Sequence, residues 1–391
     1  MTHSHVAALP PAPERVGLPS LVTGLAGVGV LIGGAALGWA FSTGELALAW
    51  STYLIGAFFA LGLGVFALAW LAIVNLAGGT WSVTMRRVPE AMTAWLLPGG
   101  VLALLVILGS QTLYQWAHPD VVSADEILTH RAPFLNTQMF LIFGVVSVVL
   151  WFAFAARIVG ASLRQDREGG MSATRSNRAM SALFLVVFAL TFSAISFYFL
   201  LSLDAHWFST MFAVLVFTDI AQTGTAFIVL VTALLVSAGA LKGFLNENHL
   251  HNIGKMLFAW TGFWAYIYFC QFMLIWYANL PEETAYFLRR VEHGWLPYML
   301  ALPALKFVIP FVLMLPRDAK RTPGRLVPVA ILVLFAQFWE LFMMVAPAVG
   351  HGDTAAAAHV PVVEHCGHRL ASLVCSPWCS DGRSVAATRC R

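Results

Sequence analysis

Nine apolar stretches, each long enough to cross a lipid bilayer, constrain this chain more than any other feature. Crossing the hydrocarbon core takes roughly 20 apolar residues in a helix. Lipid offers the backbone no hydrogen-bond partner, so only helices or closed barrels cross it, and the alternating pattern of a barrel is absent here. The sequence therefore predicts an all-α, polytopic integral membrane protein. The nine predicted transmembrane spans are Leu18–Phe41, Trp50–Leu76, Ala91–Trp116, Phe134–Ala156, Met180–Leu201, Trp207–Leu241, Ile253–Ala278, Trp295–Leu315 and Leu326–Val349.

The composition supports this class of protein. Of the 391 residues, 59% are hydrophobic and only 10% are charged, whereas soluble domains carry about 25% charged residues. The net charge of +3 does not indicate nucleic acid as a partner, because the basic residues fall in the loops between the spans. We therefore expect membrane lipids, and no nucleic acid, around the chain.

The distribution of Lys and Arg predicts the orientation in the membrane, because cytoplasmic loops are enriched in both. One set of loops contains thirteen of them, and the opposite set, before the C-terminal tail, contains only Arg131, Arg289 and Arg290. The thirteen are Arg86, Arg87, Arg157, Arg164, Arg167, Arg175, Arg178, Lys242, Lys255, Arg317, Lys320, Arg321 and Arg325. We expect the inner (cytoplasmic) membrane of a bacterium, with the N-terminal segment 1–17 in the cytoplasm and the loop after Ala278 in the periplasm.

A short internal similarity predicts how the spans are grouped. The second and sixth spans both run inward and open with AWSTYLIG at Ala49–Gly56 and HWFSTMFAV at His206–Val214. A parallel repeat of this kind predicts two four-helix bundles, spans two to five and six to nine, with the first span as a flanking helix. A chance similarity over so few residues is the alternative.

The tail after residue 349 differs in composition from the rest of the chain. It is rich in Cys, Arg and Ser and has no hydrophobic period, and four of the five cysteines lie in it. A metal site or disulfides are one interpretation, but the spacings fit no standard zinc pattern. The favoured interpretation is a disordered tail, or the product of a shifted reading frame that replaces a tenth helix. The Cys and His residues concerned are His365, Cys366, His368, Cys375, Cys379 and Cys390.

The pattern of metal-ligating residues argues against a redox centre. A membrane haem needs paired histidines inside a bundle, and here the histidines near the spans fall at helix ends or in loops. Neither a Cys-x-x-Cys-His haem-attachment run nor a cysteine set suited to an iron–sulfur cluster occurs in the sequence. We expect this subunit to bind no metal or cofactor of its own and to contain no catalytic residue.

Three ionisable residues lie at membrane depth: Asp219 in the sixth span, Lys306 in the eighth and Glu340 in the ninth. Helical rise places them roughly 18, 16 and 13 Å below the outer helix ends. Such residues are costly in hydrocarbon and face a bundle interior. They form either a structural salt bridge or a proton path or ligand site. Two acids and one base leave an extra carboxyl, which burial tends to keep protonated. Asp204 and His206, near the outer surface, either line a mouth or cap the sixth span.

One run of residues carries a family resemblance. It extends from His251 to Thr284 and has the sequence HNIGKMLFAWTGFWAYIYFCQFMLIWYANLPEET. It resembles the NrfD/PsrC-like membrane subunits, and more closely the second such subunit (ActF) of alternative complex III, a bacterial quinol:cytochrome c oxidoreductase. The similarity extends over most of Leu18–Val349. In that family two four-helix bundles have an extra helix at each end, which makes ten spans, so the tenth falls where the atypical tail begins here.

The resemblance implies a subunit of a respiratory or photosynthetic quinol:electron-acceptor oxidoreductase that supports assembly of the complex and proton translocation. The implied partners are a multihaem cytochrome c, an iron–sulfur protein and a second NrfD-like subunit. Haem c and iron–sulfur clusters are then expected in those partners, and a quinone or menaquinone in the complex. Quinol oxidation is associated in that family with the sister NrfD-like subunit.

The acidic end of the similar run is the predicted docking surface. Partner subunits of such a complex cover the periplasmic face, so Asn279, Glu282 and Glu283 are candidates for docking, together with the loop His118–Arg131. An ordinary solvated loop is the alternative. A stand-alone ion-coupled transporter and a purely structural scaffold subunit are the alternative functions.

We predict that a cysteine at residue 283 reacts from the outside of intact cells and that one at residue 172 does not. The excess of Lys and Arg in one set of loops is the reason. The measurement is labelling of Glu283→Cys and Ser172→Cys by a membrane-impermeant thiol reagent, with permeabilised cells as the control. Labelling of Ser172→Cys alone in intact cells would reverse the orientation.

Overall fold

A computed structural model describes residues 20–169, 171–239, 245–291 and 294–349, and its architecture is all-α. Within these ranges the main helices are α1 Ser20–Ser42, α2 Leu46–Ala77, α3 Arg87–Leu113, α4 Thr137–Glu168, α5 Ser172–Phe199, α6 Phe212–Ser237, α7 Glu247–Ala278, α8 Pro281–Val291, α9 Leu296–Met314 and α10 Pro323–Val349. Helix α3 contains a 3₁₀ segment at Leu105–Gly109, and α9 contains a π turn at Ala304–Val308. Shorter helices occupy Thr80–Met85, Gln115–Ala117, Pro119–Ala124, Glu126–Arg131, Leu201–Leu203 and Asp318–Lys320.

Eight of the described helices are long and apolar enough to cross a membrane, namely α2 to α7, α9 and α10. The chain is therefore a multi-pass membrane protein, as the sequence predicts. The described part of the first predicted span, Leu18–Phe41, lies in helix α1, in which Ala26–Ser42 is a shorter apolar helix. The segments 1–17 and 350–391, with the predictions made for them, lie outside the described residues.

The sixth predicted span begins later than the hydropathy indicates. We expected Trp207 to open it, but α6 begins at Phe212. The Trp207 ring stacks on Tyr286 with 4.0 Å between centroids, and its Nε1 donates to the carbonyl oxygen of Glu283 at 3.1 Å. These contacts hold Trp207 against α8, so tertiary packing sets the start of the helix.

Helix α2 lies at the centre of the packing and contacts α3, α5, α6 and α10. Helix α6 also contacts α7 and α10, and α7 contacts the second half of α9. Close approach of α2 and α6 depends on Gly224, because a Cβ atom there would lie 2.1 Å from Cδ1 of the buried Phe66 ring. Position 224 therefore requires glycine for packing, and α6 continues through it without a break. Helix α10 contacts both α6 and α9, so the polar residues of the three helices lie together.

We predict that Gly224→Ala destabilises the protein by about 1–3 kcal/mol, since the added methyl group overpacks the contact with Phe66. The measurement is thermal unfolding in detergent or nanodiscs, followed by tryptophan fluorescence. Gly262→Ala in α7 is the matched control, because a Cβ atom there meets nothing within 4 Å. Equal melting temperatures for Gly224→Ala and the parent would contradict the packing argument.

Candidate functional site

A buried lysine is the centre of the candidate site. The side chain of Lys306 is fully buried, and its Nζ donates to Asp219 Oδ1 at 2.9 Å and to Gln337 Oε1 at 2.6 Å. A third hydrogen bond goes to Glu340 Oε2. An ammonium group has three donors, so all of them are used. The structure thus brings together Asp219, Lys306 and Glu340, from α6, α9 and α10.

Local backbone structure explains why Lys306 lies where it does. In a regular α-helix the carbonyl of residue 306 accepts from the N–H of residue 310, but that residue is Pro310, which has no N–H. The helix forms a π turn here, at Ala304–Val308, and π turns occur frequently at functional sites. The side-chain amide of Gln222 donates to the carbonyl oxygen of Lys306 at 2.9 Å. Gln222 therefore ties the π turn to α6.

A second layer of side chains positions the carboxyl and amide groups. The indole Nε1 of Trp264 donates to Glu340 Oε1 at 3.1 Å, and the Lys306 ammonium lies 5.0 Å from the Trp264 ring centroid. The Thr223 hydroxyl donates to Gln337 Oε1 at 2.8 Å. The polar atoms of Glu340 and Gln337 are therefore held from two directions.

The cluster has more acid than base. Asp219 and Glu340 face the single ammonium of Lys306, and both carboxyl groups are about 1% exposed. Among the described residues, Asp219 Oδ2 and Gln222 Oε1 have no hydrogen-bond partner. Buried polar atoms of this kind are satisfied by a proton or by ordered water. The cluster therefore contains one carboxyl group more than a single ion pair needs.

The depth predicted for Asp219 is wrong. Because α6 begins at Phe212 rather than Trp207, Asp219 lies about 10 Å from the N-terminal end of that helix by helical rise, not roughly 18 Å. Lys306 in α9 and Glu340 in α10 lie about 15 and 13 Å from their ends by the same rule. The three groups still meet, since the π turn and the long lysine side chain span the difference.

A cavity of about 30 Å³ adjoins the cluster at Glu340. It lies among the ends of α6, α7, α9 and α10, and α8 forms one wall. Its polar lining consists of Tyr268, Gln271, Tyr286 and Arg290 in addition to Glu340. A water molecule requires about 10–15 Å³ on this measure. The cavity therefore has room for about two waters beside Glu340.

Arg290 holds α8 against the end of α10. Its Nε and Nη2 donate to the carbonyl oxygens of Met343 and Met344, both at 3.1 Å. Its Nη1 donates to the backbone carbonyl oxygen of Tyr286 at 2.8 Å. The carbonyl of Met343 lacks its helical donor because residue 347 is a proline. Burial lowers the pKa of Arg290 from its ordinary value and raises the pKa of Tyr286. The guanidinium thus replaces a missing backbone donor.

The residues predicted as an outer mouth do not belong to this cavity. Asp204 Oδ2 accepts from Arg289 at 2.8 Å, and His206 Nε2 lies 2.6 Å from Asp125 Oδ2. Asp204 is buried, with 8% exposure, so it lines no open surface. Asp204 is committed to an ion pair with Arg289, and His206 to a polar contact with Asp125.

The predicted docking residues lie at the junction of α7 and α8. Asn279 is exposed and ends α7 in the left-handed conformation, with φ of 50°. Glu282 is exposed and Glu283 is half-buried, and both lie in the first turn of α8. The segment Pro281–Val291 is a helix rather than a loop. Likewise, the loop His118–Arg131 contains two short helices.

Hydropathy and charge did not indicate Gln222, Trp264 or Arg290 as site residues. The available signal was proline: Pro310 follows Lys306 by four residues, and Pro347 follows Met343 by four. Each proline frees a carbonyl in a membrane helix, which needs a donor from another helix. Within the described ranges, no group of three or more His, Cys, Asp or Glu residues is placed to hold a metal ion. The cysteine-rich tail lies outside those ranges.

Comparison with known proteins gives no family model that matches the chain and no curated protein with a significant match. The family resemblance noted above therefore stays a prediction.

We predict that acid loosens the segment around Glu126–Arg131. The hydrogen bond from His206, together with the backbone N–H of Leu128, holds the pKa of Asp125 below its ordinary value. A lowered folded pKa means that the stabilisation is present above the unfolded value of about 3.9 and is lost as the pH falls through the folded value. Amide hydrogen exchange at Ile127 and Leu128, corrected for intrinsic rates, should accelerate below about pH 4.

The control for this prediction is Asp125→Asn, which has no carboxylate to protonate. Its amide oxygen still caps the helix at every pH, so exchange at these two amides should show no acid step. An identical acid step in Asp125→Asn and the parent would assign the loosening to another group.

Proposed function

We propose that this chain is an NrfD-like membrane subunit of a bacterial quinol:electron-acceptor oxidoreductase of the alternative complex III type, and that its buried charge cluster carries protons. One observation supports the proton path above all: the Lys306 ammonium is bonded to carboxyl groups from two other helices. A locked ion pair needs only one acid. The second acid gives the cluster a site at which a proton is gained and lost.

Charge balance lowers the free-energy cost of such a path. With one proton shared between Asp219 and Glu340, the cluster with Lys306 is neutral. Moving that proton from one carboxyl to the other leaves the net charge unchanged, so no extra charge is buried in the membrane interior. The hydroxyl of Thr223 and the amide of Gln337 supply polar neighbours to the cluster.

The proposal includes the arrangement in the membrane and in the complex. The inner membrane, a cytoplasmic N-terminus and two four-helix bundles, α2–α5 and α6, α7, α9 and α10, belong to it, and the contacts of α6 with α7 and α10 support the second bundle. The subunit binds no redox centre. Haem c, iron–sulfur clusters and the quinone belong to the partner subunits or their interfaces. Asn279, Glu282 and Glu283 form the partner-docking surface.

A stand-alone ion-coupled transporter is the alternative that the same charges suggest. A binding site for an organic substrate has a volume of roughly 300–1,000 Å³. The cavity at Glu340 is about 30 Å³, so it favours water and protons over a larger substrate. A scaffold subunit differs from the proposal only in whether the charges matter for turnover.

We predict that Asp219→Asn and Glu340→Gln each lower proton movement coupled to turnover by about 10-fold or more, as loss of a proton-transfer group does. The protein is isolated from native membranes with its partners, which are identified by mass spectrometry, and proton movement is measured in proteoliposomes. Glu247→Gln is the matched control, because that side chain is 76% exposed. The partners should co-purify with all three variants.

Two outcomes would contradict the proposal. If Asp219→Asn and Glu340→Gln assemble, turn over and move protons as the parent does, the cluster is structural. If the purified chain has no protein partners and transports a solute alone, the complex assignment fails.

A further inference from the structure

The cavity beside Glu340 has features of a water site rather than a packing defect. Gln271 is 5% exposed, and its Oε1 has no hydrogen-bond partner among the described residues. Its Nε2 lies 3.5 Å from the Ser209 hydroxyl. A buried amide oxygen costs free energy unless a donor reaches it, and ordered water is the usual donor. The cavity that Gln271 lines has the volume for such water.

The part of the cluster around Gln337 and Thr223 has less space for water. A second cavity, of about 10 Å³, is lined by Gln337 and Thr223, with Phe58 and Phe59 among its apolar walls. This volume is at the lower limit for a single water. The Thr223 hydroxyl already donates a hydrogen bond to Gln337 Oε1. Water is therefore favoured on the Glu340 side.

We propose that the cavity among Glu340, Gln271, Tyr268 and Arg290 is the outer end of the proton path, and that Gln271 holds the water that exchanges protons with Glu340. The inference rests on the proposed function, because it assigns one end of that path. A proton released from the Glu340 carboxyl passes to the water held by Gln271 and leaves between α7 and α8. Asp204 and His206, the residues first expected at this mouth, take no part.

Arg290 keeps this outlet closed to species that enter as free cations. Its buried guanidinium forms part of the cavity wall, and a fixed positive charge in such a wall repels Na⁺, K⁺ and hydronium alike. Its three bonds to backbone carbonyls spread that charge over the ends of α8 and α10. A proton relayed along hydrogen bonds does not require a hydrated cation to enter the cavity.

Hydroxyl-radical footprinting of the native complex in membranes tests the water directly, without any variant. Radicals form from water, so side chains beside internal water are oxidised. Met343 and Met344 line the cavity, whereas Met85 and Met314 are buried methionines that do not line it. We expect Met343 and Met344 to be oxidised several-fold faster than Met85 and Met314. Equal rates would overturn the inference.

The second arm asks whether this water lies on the path. Gln271→Leu removes the amide oxygen and should lower coupled proton movement about 10-fold, and it should also protect Met343 and Met344 from oxidation. Gln271→Asn, which retains an amide, should restore part of both. Met273→Leu is the control on the same helix, because Met273 is exposed on the outer surface of the bundle.

The outcomes separate this inference from the function on which it rests. If Gln271→Leu moves protons normally while Glu340→Gln does not, the path exists but its outlet lies elsewhere, and the inference is overturned. If Asp219→Asn and Glu340→Gln are both active, the proton path itself fails, whatever the hydration of the cavity.

Discussion

The bonds from the Lys306 ammonium to Asp219 and Glu340 are the interaction on which the rest of this half of the molecule depends. A charged side chain at the centre of a membrane helix costs about 2.5–3.5 kcal/mol on insertion scales. Removing one partner of a buried pair costs about 3–5 kcal/mol, because the remaining charge is left uncompensated. Helices α6, α9 and α10 must therefore close around the lysine together. The close approach of α2 at Gly224 supports that closure from the other side of α6.

Two prolines determine where side chains bond across helices. Pro310 frees the carbonyl of Lys306, and Pro347 frees that of Met343. Water is absent from the hydrocarbon core, so each freed carbonyl needs a donor from the protein. Gln222 supplies one and Arg290 the other. In both places a side-chain donor replaces the missing backbone N–H. The bond from Gln222 positions Lys306, and the bond from Arg290 fixes the wall of the adjacent cavity.

Hydropathy predicted most of the spans because the thickness of a bilayer sets their length, and this requires no knowledge of packing. It was wrong at the start of α6, because the contacts of Trp207 with α8 are tertiary. The three charged residues could be predicted as site residues because a charge in lipid is costly whatever the rotation of its helix. Their partners Gln222 and Trp264 could not, since hydropathy does not give helix rotation. The contacts of Asp204 and His206 could not be predicted, because their partners Arg289 and Asp125 are distant in sequence.

Helix α8, which carries part of the predicted docking surface, contacts the segment before α6 through Trp207 and the end of α10 through Arg290. Trp207, five residues before α6, donates to Glu283 and stacks on Tyr286, and Arg290 bonds the carbonyls at the end of α10. Helix α6 carries Asp219 and helix α10 carries Glu340. The outer face of α8, with Glu282, is free of such contacts and exposed. In the proposed complex, a displacement of α8 by a bound partner acts on the cavity wall and on the two helices that hold the carboxyl groups. The proposed docking surface and the proposed proton path thus share a mechanical element, which gives a partner on this surface a direct physical route to the state of the cluster.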